Sequence, residues 1–402
     1  MSRPSNLGSV SYEVESSWAE AVSTWGTRLE TIGDPVVPGD IQERIAQATT
    51  RQYREDGKMG IRGPWGGEFS ITMALTGQGG TGGTGATTDT DLYALLVNAL
   101  GGGSSDCAGT DIATSTDAGE FTLTGGTVES NNLVRIGALG DLRGNGQFYA
   151  VDNIATTTLL TDMLAAADVA DIVYAPVHVY PLESAGTPIV STRFLLLTAN
   201  GQWAAKGCWP KGLSFAGLNV GEQPTVTITY GVSAWAEENR SFPRGTTSTP
   251  QDGTMVAAGS CFLQDVGVTT RQALDLRAWT LDINLESVAL PGPGGLDAYQ
   301  TIVGAIRTRA NASLSLTIDS EAVGNNTLND IYISGVMQHC LMTLSSTAGR
   351  AIGFYFKNCR PTKYVNQSAS NGINRRTLML EALTGPALSS EETAASWVLG
   401  MA

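Results

Sequence analysis

One short pattern occurs twice in this chain, and an internal repeat constrains a fold more tightly than composition does. Lys206-x-Cys208-x-Pro210 is followed by Gly221 eleven residues after its proline, and Lys357-x-Cys359-x-Pro361 is followed by Gly372 at the same distance. The two motifs stand 151 residues apart, with no gap between motif and glycine. Each then runs into a strand-like stretch, Thr225–Thr229 in the first copy and Thr377–Leu380 in the second. The chain is therefore expected to hold two copies of one β-rich unit.

Upstream, Glu68–Leu75 and Ala278–Leu285 both alternate large apolar with small or polar residues, as half-buried strands do. A glycine-rich loop follows each, Gly77–Gly85 and Pro291–Gly295, and then a helical pattern. Leu92, Leu95, Leu96 and Leu100 predict a helix over Asp89–Leu100, with Asp89 or Asp91 at its N-cap and Gly101 as its stop. Leu296, Tyr299, Val303 and Ile306 predict a second over Leu296–Arg309. Pairing Phe69 with Trp279 sets an offset of 210 residues, which leaves a surplus of 59 in the first copy before the Lys-x-Cys-x-Pro motif.

That surplus maps to about 103–181. There, short runs separated by Gly, Asn and Asp (Phe121–Thr124, Leu133–Ile136, Gln147–Val151, Ile172–Tyr174) read as a small all-β insertion that protrudes from the first domain, with Gly101–Gly119 as its flexible entry. A Pro-, Ser-, Thr- and Gly-rich linker over Asn239–Asp252 divides the chain into a first domain, 1–245, and a second, 246–402.

With 402 residues the chain is long enough for two or three domains. Its net charge of −14 and lack of a Lys/Arg cluster argue against binding nucleic-acid phosphates. There is no apolar run of about eighteen residues and no signal-peptide pattern, so a soluble protein with no membrane partner is expected, kept in the cytoplasm until assembly. Five cysteines without C-x-x-C spacing read as buried free thiols.

Catalytic signals are sparse. His178 and His339 sit in strand-like runs, no G-x-S-x-G is present, and the Gly77–Gly85 loop lacks the Gly-Lys-Ser/Thr ending of a phosphate cradle. The carboxylate pairs Glu237-Glu238 and Glu391-Glu392 are neighbours in sequence and read as solvated surface. The expectation is a non-enzyme with no cofactor and no metal.

Taken together, the halves resemble the duplicated tail tube (major tail) proteins of long-tailed bacteriophages. The likeness is carried by Val10–Trp18 with Val36-Val37-Pro38 as opening strand and loop, and by Gly349–Phe356, Pro361 and Asn371–Leu380 as closing strands. It implies a mainly β fold of two tandem β-sandwich or barrel domains, each with one flanking helix, plus the insertion in the first. It also implies a structural virion protein that forms stacked rings, three subunits to a ring, through which DNA passes without specific binding. Tape measure, tail-tip and terminator proteins are the implied partners. By the same resemblance the segment Asp34–Gly57 contacts neighbouring subunits, and Val36, Val37, Arg44, Arg51, Tyr53 and Arg54 are its candidate contact residues. Within it, Asp40–Thr49 fits a short surface helix. The residues leave two other functions open: a carbohydrate- or receptor-binding module using Trp65, Trp203 and Trp209, and a polysaccharide-cleaving enzyme using paired carboxylates.

Overall fold

A computed structural model describes residues 9–19, 27–29, 31–32, 42–46, 61–75, 91–104, 110–115, 120–123, 133–137, 148–153, 157–160, 172–174, 177–182, 188–198, 201–217, 223–237, 259–266, 271–291, 302–319, 327–344, 351–368, 374–383 and 395–401. The fold is mainly β and its strand pairings are antiparallel. The first run of elements is β1 (Ser9–Val14), β2 (Thr27–Leu29), β3 (Gln42–Ala46), β4 (Ile61–Ala74), α1 (Asp91–Leu100) and β5 (Gly101–Ser104). Then come β6 (Thr110–Ser115), β7 (Glu120–Leu123), β8 (Leu133–Gly137), β9 (Phe148–Asn153), β10 (Thr157–Leu160) and β11 (Ile172–Tyr174). They are followed by β12 (Val177–Pro181), β13 (Thr192–Thr198), β14 (Gly201–Gly217), β15 (Thr225–Val232) and β16 (Ala234–Glu237). The remainder is β17 (Gly259–Asp265), β18 (Arg271–Leu274), β19 (Leu276–Pro291), β20 (Ile302–Asp319), α2 (Thr327–Ser334), β21 (Gln338–Leu344), β22 (Ile352–Ser368), β23 (Asn374–Ala382) and β24 (Trp397–Met401).

Alternation explains the sheets. In β15, Val226, Ile228 and Tyr230 point into the core, and in β4 so do Phe69, Ile71 and Met73. On the other face the hydroxyls of Ser70 and Thr229 lie 3.0 Å apart and those of Thr72 and Thr227 2.9 Å apart, so this face also gains cross-strand pairs. The inward residues join a core that runs through both halves, with Phe69 stacked on Tyr230 and Phe194 edge-on to Phe69, and Phe354 beside Phe215, Trp279 and Phe356.

One pairing scheme appears twice. In the first run β1 pairs with β2 and β13, β13 with β14, β14 with β15 and β16, β15 with β4, and β4 with β3. In the second β17 pairs with β18 and β21, β21 with β22, β22 with β23 and β24, β23 with β20, and β20 with β19. Even the irregularities coincide. A bulge follows Pro210 in β14 and Pro361 in β22, and another separates Thr192 from Phe194 in β13 and Gln338 from Cys340 in β21. The Thr72–Thr227 contact recurs as Thr317–Thr377, also 2.9 Å.

These registers correct part of the sequence reading. The counterpart of β4 is β20, not β19: Phe69 faces Tyr230 as Leu314 faces Leu380. Alternation marks any half-buried strand alike, so it matched Phe69 with the wrong member of a hairpin. The 59-residue surplus falls with that pairing. Between α1 and β13 the chain runs from Gly101 to Ser191, 91 residues, whereas only the three residues from Gly335 to Met337 separate α2 from β21.

The helix expected over Leu296–Arg309 is also overturned, since residues 302–309 belong to β20, where β-branched Ile302, Val303 and Ile306 face a full-length partner strand. The helical spacing was coincidental. The helix of the second half is α2, closed by Gly335 at φ +62 as α1 is closed by Gly101 at φ +92. Likewise Gln42–Ala46 is strand β3, not part of a helix over Asp40–Thr49, because it pairs with β4.

Strands β6 to β11 close into a six-stranded barrel within the expected insertion. Its entry is not a flexible tether throughout: β5 pairs with β12, and β6 is a barrel strand. Nor does the barrel stand off from the first half alone. Leu133 of β8 packs with Leu341, Ala351 and Tyr355 of the second half, and the stem strand β12 pairs with β24. The linker Asn239–Asp252 and the glycine-rich loops lie outside the described residues.

Candidate assembly interface

The most extensive contact between the two runs of strands is built from β14. Its N-terminal part lies between β13 and β16, and its C-terminal part, Gly212–Gly217, lies between β15 and Trp279–Asn284 of β19. The sheet of one half thus continues into the other. Glycine is required at the end of this seam, because a Cβ on Gly217 would stand 2.4 Å from Trp279 Nε1. Beneath it, Phe354 contacts Trp279 and Phe215 with ring centroids 5.5 and 5.4 Å apart. On the exposed face Ser214 Oγ donates to Asp282 Oδ1 at 2.5 Å.

The β19–β20 hairpin extends past this seam and lies across the end of α1. Arg307, buried in β20, donates through Nη1 to the carbonyl of Leu100 and through Nη2 to that of Ala99, the last carbonyls of the helix, where the helix dipole favours a cation. Burial pulls the Arg307 guanidinium down to about 10, so it stays charged at neutral pH. Ile189 N donates to Ala305 O at 2.9 Å, Pro188 bridges to Ile306, and Ser233 Oγ donates to Ile302 O at 3.0 Å. Trp209, Ile302 and Ala305 form a small apolar cluster here with Trp18, Ile189 and Ala289. A cavity of about 390 Å³ remains between α1, the Pro188–Val190 segment and Arg307.

Beside this hairpin, Glu15 is buried and accepts from Ser191 Oγ, from Ala19 N at 3.0 Å and from Gly207 N at 3.2 Å. It fastens the end of β1 to β13 and to the Lys-x-Cys-x-Pro strand. In the second half the same backbone bond exists, Val266 N to Met337 O at 2.9 Å matching Glu15 N to Ser191 O at 2.9 Å, with a valine replacing the carboxylate.

The two seam features have counterparts that are open. Lys363–Ser368 of β22 corresponds to Gly212–Gly217 of β14, and among the described residues it pairs with β23 alone. On α2, Ile333 is 71% exposed, Tyr332 41% and Val336 39%, whereas Ala99 and Leu100 on α1 are fully buried.

The residues singled out from sequence fare unevenly. Of the contact-loop candidates, Arg44 lies in β3, and Val36, Val37, Arg51, Tyr53 and Arg54 lie outside the described residues. Cys208 and Cys359 occupy equivalent buried positions; burial, followed by nearby Glu15, pushes the Cys208 thiol well up, and burial does the same to Cys359. The thiols of Cys340 and Cys261 are hydrogen-bonded to one another, which with burial raises Cys340. Cys107 lies outside the described residues. Lys206 is half-buried and Lys357 buried.

His178 is buried with Nε2 2.9 Å from Leu133 O, and His339 stacks on Tyr355. Of the tryptophans expected to be exposed, Trp209 is buried in the hairpin cluster and Trp203 is half-buried against the core. Among the described residues no group of three or more His, Cys, Asp or Glu is placed to hold a metal ion, and no helix is long and apolar enough to cross a membrane. Sequence reasoning passed over Arg307 and Glu15, because each has a like charge two residues away, Arg309 and Glu13, and nothing in the sequence sets the buried member apart.

No protein-family model and no curated protein matches the chain. Among solved structures, a chain of the anti-feeding prophage (AFP) baseplate, solved by cryo-EM and 6-fold symmetrised, is similar at 14% identity and a TM-score of 0.25, covering 30% of this chain and 86% of that one. MrkH of K. pneumonia in its apo state is similar at 11% identity and a TM-score of 0.16, covering 66% and 82%. At these TM-scores neither likeness bears on the reading that follows.

Proposed function

We propose that this chain is a structural virion protein, a tail tube subunit of two tandem tube-like units divided near residues 245 and 246, that closes into rings of three. The observation that carries the reading is the seam between the halves. Within one chain, β14 of the first unit is extended by β19 of the second. The second unit repeats the same strand, β22, with the matching edge unpaired among the described residues. A second copy that offers its first unit to that edge repeats the internal junction between chains. Such a head-to-tail contact closes when the rotation permits, and two units per chain make a ring of three chains pseudo-sixfold. It also removes sheet edges that would otherwise invite uncontrolled pairing.

Rings stacked into a hollow tube account for the charge as well. A net charge of −14 suits a conduit that DNA slides through without adhering. The reading assigns the chain no catalytic step and no cofactor; its partners are its own copies and the other tail proteins, and its place is the tail of the virion, assembled in the host cytoplasm. Negative-stain electron microscopy of concentrated purified protein tests it: hollow tubes or rings are expected, and particles no larger than a monomer under every salt and concentration tried would contradict it.

A further inference from the structure

We propose that Cys261 and Cys340 are an oxidative modification site: a peroxide joins the two thiols in a disulfide that staples β17 to β21, and only the second unit carries the pair. The inference concerns a single chain and does not rest on the ring reading.

The two units differ at this place in the core. Glu15 and Val266 are equivalent, so counting back five residues along β1 and β17 pairs Val10 with Cys261. The matching bulges of β13 and β21 pair Phe194 with Cys340, and Cys208 is the counterpart of Cys359. All six side chains are buried. The first unit therefore holds one thiol beside a valine and a phenylalanine where the second holds three thiols. Ordinary apolar side chains fill these positions in the first unit, so packing alone does not call for sulfur in the second.

The register brings one pair together. Cys261 faces Met342 and Cys340 faces Leu263, so the two cysteines occupy a diagonal of the β17–β21 ladder with both side chains turned into the core. Their thiols are hydrogen-bonded to one another, which sets sulfur against sulfur across that diagonal before any bond forms. Cys359 lies on β22, where a bulge separates its register from that of Cys340.

The chemistry balances with a peroxide as the oxidant. One sulfur attacks hydrogen peroxide, breaks the O–O bond and becomes a sulfenic acid with release of water; the second sulfur displaces the hydroxyl as a second water, and the thiol protons leave in the two waters. The hydrogen bond to Cys261, together with burial, keeps Cys340 protonated at neutral pH, so the reaction is slow in the closed fold. It proceeds as β17 opens locally, and one neighbour of β17 is the four-residue β18. The finished bond closes the chain around β18, β19, β20 and α2, restraining most of the second unit in its unfolded state.

The test treats the full-length protein with hydrogen peroxide at neutral pH, keeps a reduced sample alongside, and maps peptides of both by mass spectrometry without reductant. A peptide joining Cys261 to Cys340 and released by dithiothreitol is expected, with a rise of about 5 °C or more in melting temperature that dithiothreitol reverses. Cys261→Val, which installs the residue of the first unit, is expected to lose both the link and the rise, and Cys359→Ala to keep both. No linked peptide, whether the thiols stay intact or over-oxidise, would overturn the site. So would a link to Cys359 in place of Cys340, a linked chain that melts no higher, or a rise that persists in Cys261→Val.

Discussion

Gly212–Gly217 in β14 and Lys363–Ser368 in β22 are the same stretch of the same strand met twice, alike on one side and different on the other. The first is sealed between β15 and β19, over an aromatic core, with glycine against Trp279; the second has β23 on one side and no further strand among the described residues on the other. The same contrast holds at the helix ends: α1 is capped by Arg307 from the other half, and α2 presents Ile333 to solvent. The unit meets a partner strand at this edge once inside the chain, and among the described residues its second copy does not. On the proposed reading that difference, more than any side-chain constellation, is the functional signal.

The comparison can be broken most forcefully at its core. Trp235 and Trp397 hold equivalent places opposite β14 and β22, facing Ala205 and Phe356, and both are buried. Replacing either with alanine is expected to cost about 3–5 kcal/mol in urea denaturation, with Trp397, the more deeply buried of the two, at the upper end. A negligible loss at one position only would mean that the two units do not share a core.

Glu15 and Val266 test a difference rather than an equivalence. Glu15→Ala strands two buried donors and one part-buried one and is expected to cost about 3 kcal/mol, whereas Val266→Ala, at a position 41% exposed, should stay within about 0.5 kcal/mol. Equal effects in thermal melts would deny Glu15 its fastening role. Arg307→Ala comes next, with an expected loss of about 2 kcal/mol from two charge-assisted bonds at the end of α1, read from earlier exchange of amide protons in that helix. The smallest effect concerns the paired threonines. Thr72→Val and Thr317→Val should each change stability by less than about 1 kcal/mol and by the same amount, since each loses one 2.9 Å hydroxyl contact.

Much of the fold was legible in the sequence, for identifiable reasons. The Lys-x-Cys-x-Pro motif located β14 and β22 because cysteine and proline are fixed there by burial and by the bulge, and α1 followed from its leucine stripe and Gly101. The β4–β19 pairing failed because alternation carries no register. The helix assigned to Leu296–Arg309 failed over 302–309 because apolar residues at helical spacing, such as Val303 and Ile306, also occur in a long strand whose inner face shifts at bulges, and β20 has two such shifts opposite Ser287 and Pro291; Leu296 and Tyr299 lie outside the described residues. The short α2 offered only Leu328 and Ile331 as buried positions, too few for a periodic signal. As for the interface, the contact-loop reading included Arg44 in β3 but not Arg307, because the importance of an arginine in a strand depends on which helix end lies across from it. That is a property of the tertiary arrangement.

The account turns on how many chains close the open edge. Native mass spectrometry of isolated rings, released gently from tubes or formed at low concentration, measures it directly. The account predicts a closed particle of three chains, each of 42.0 kDa, in which every β22 edge is occupied. A closed ring of six chains, or a twofold dimer with no larger closed species, would contradict it.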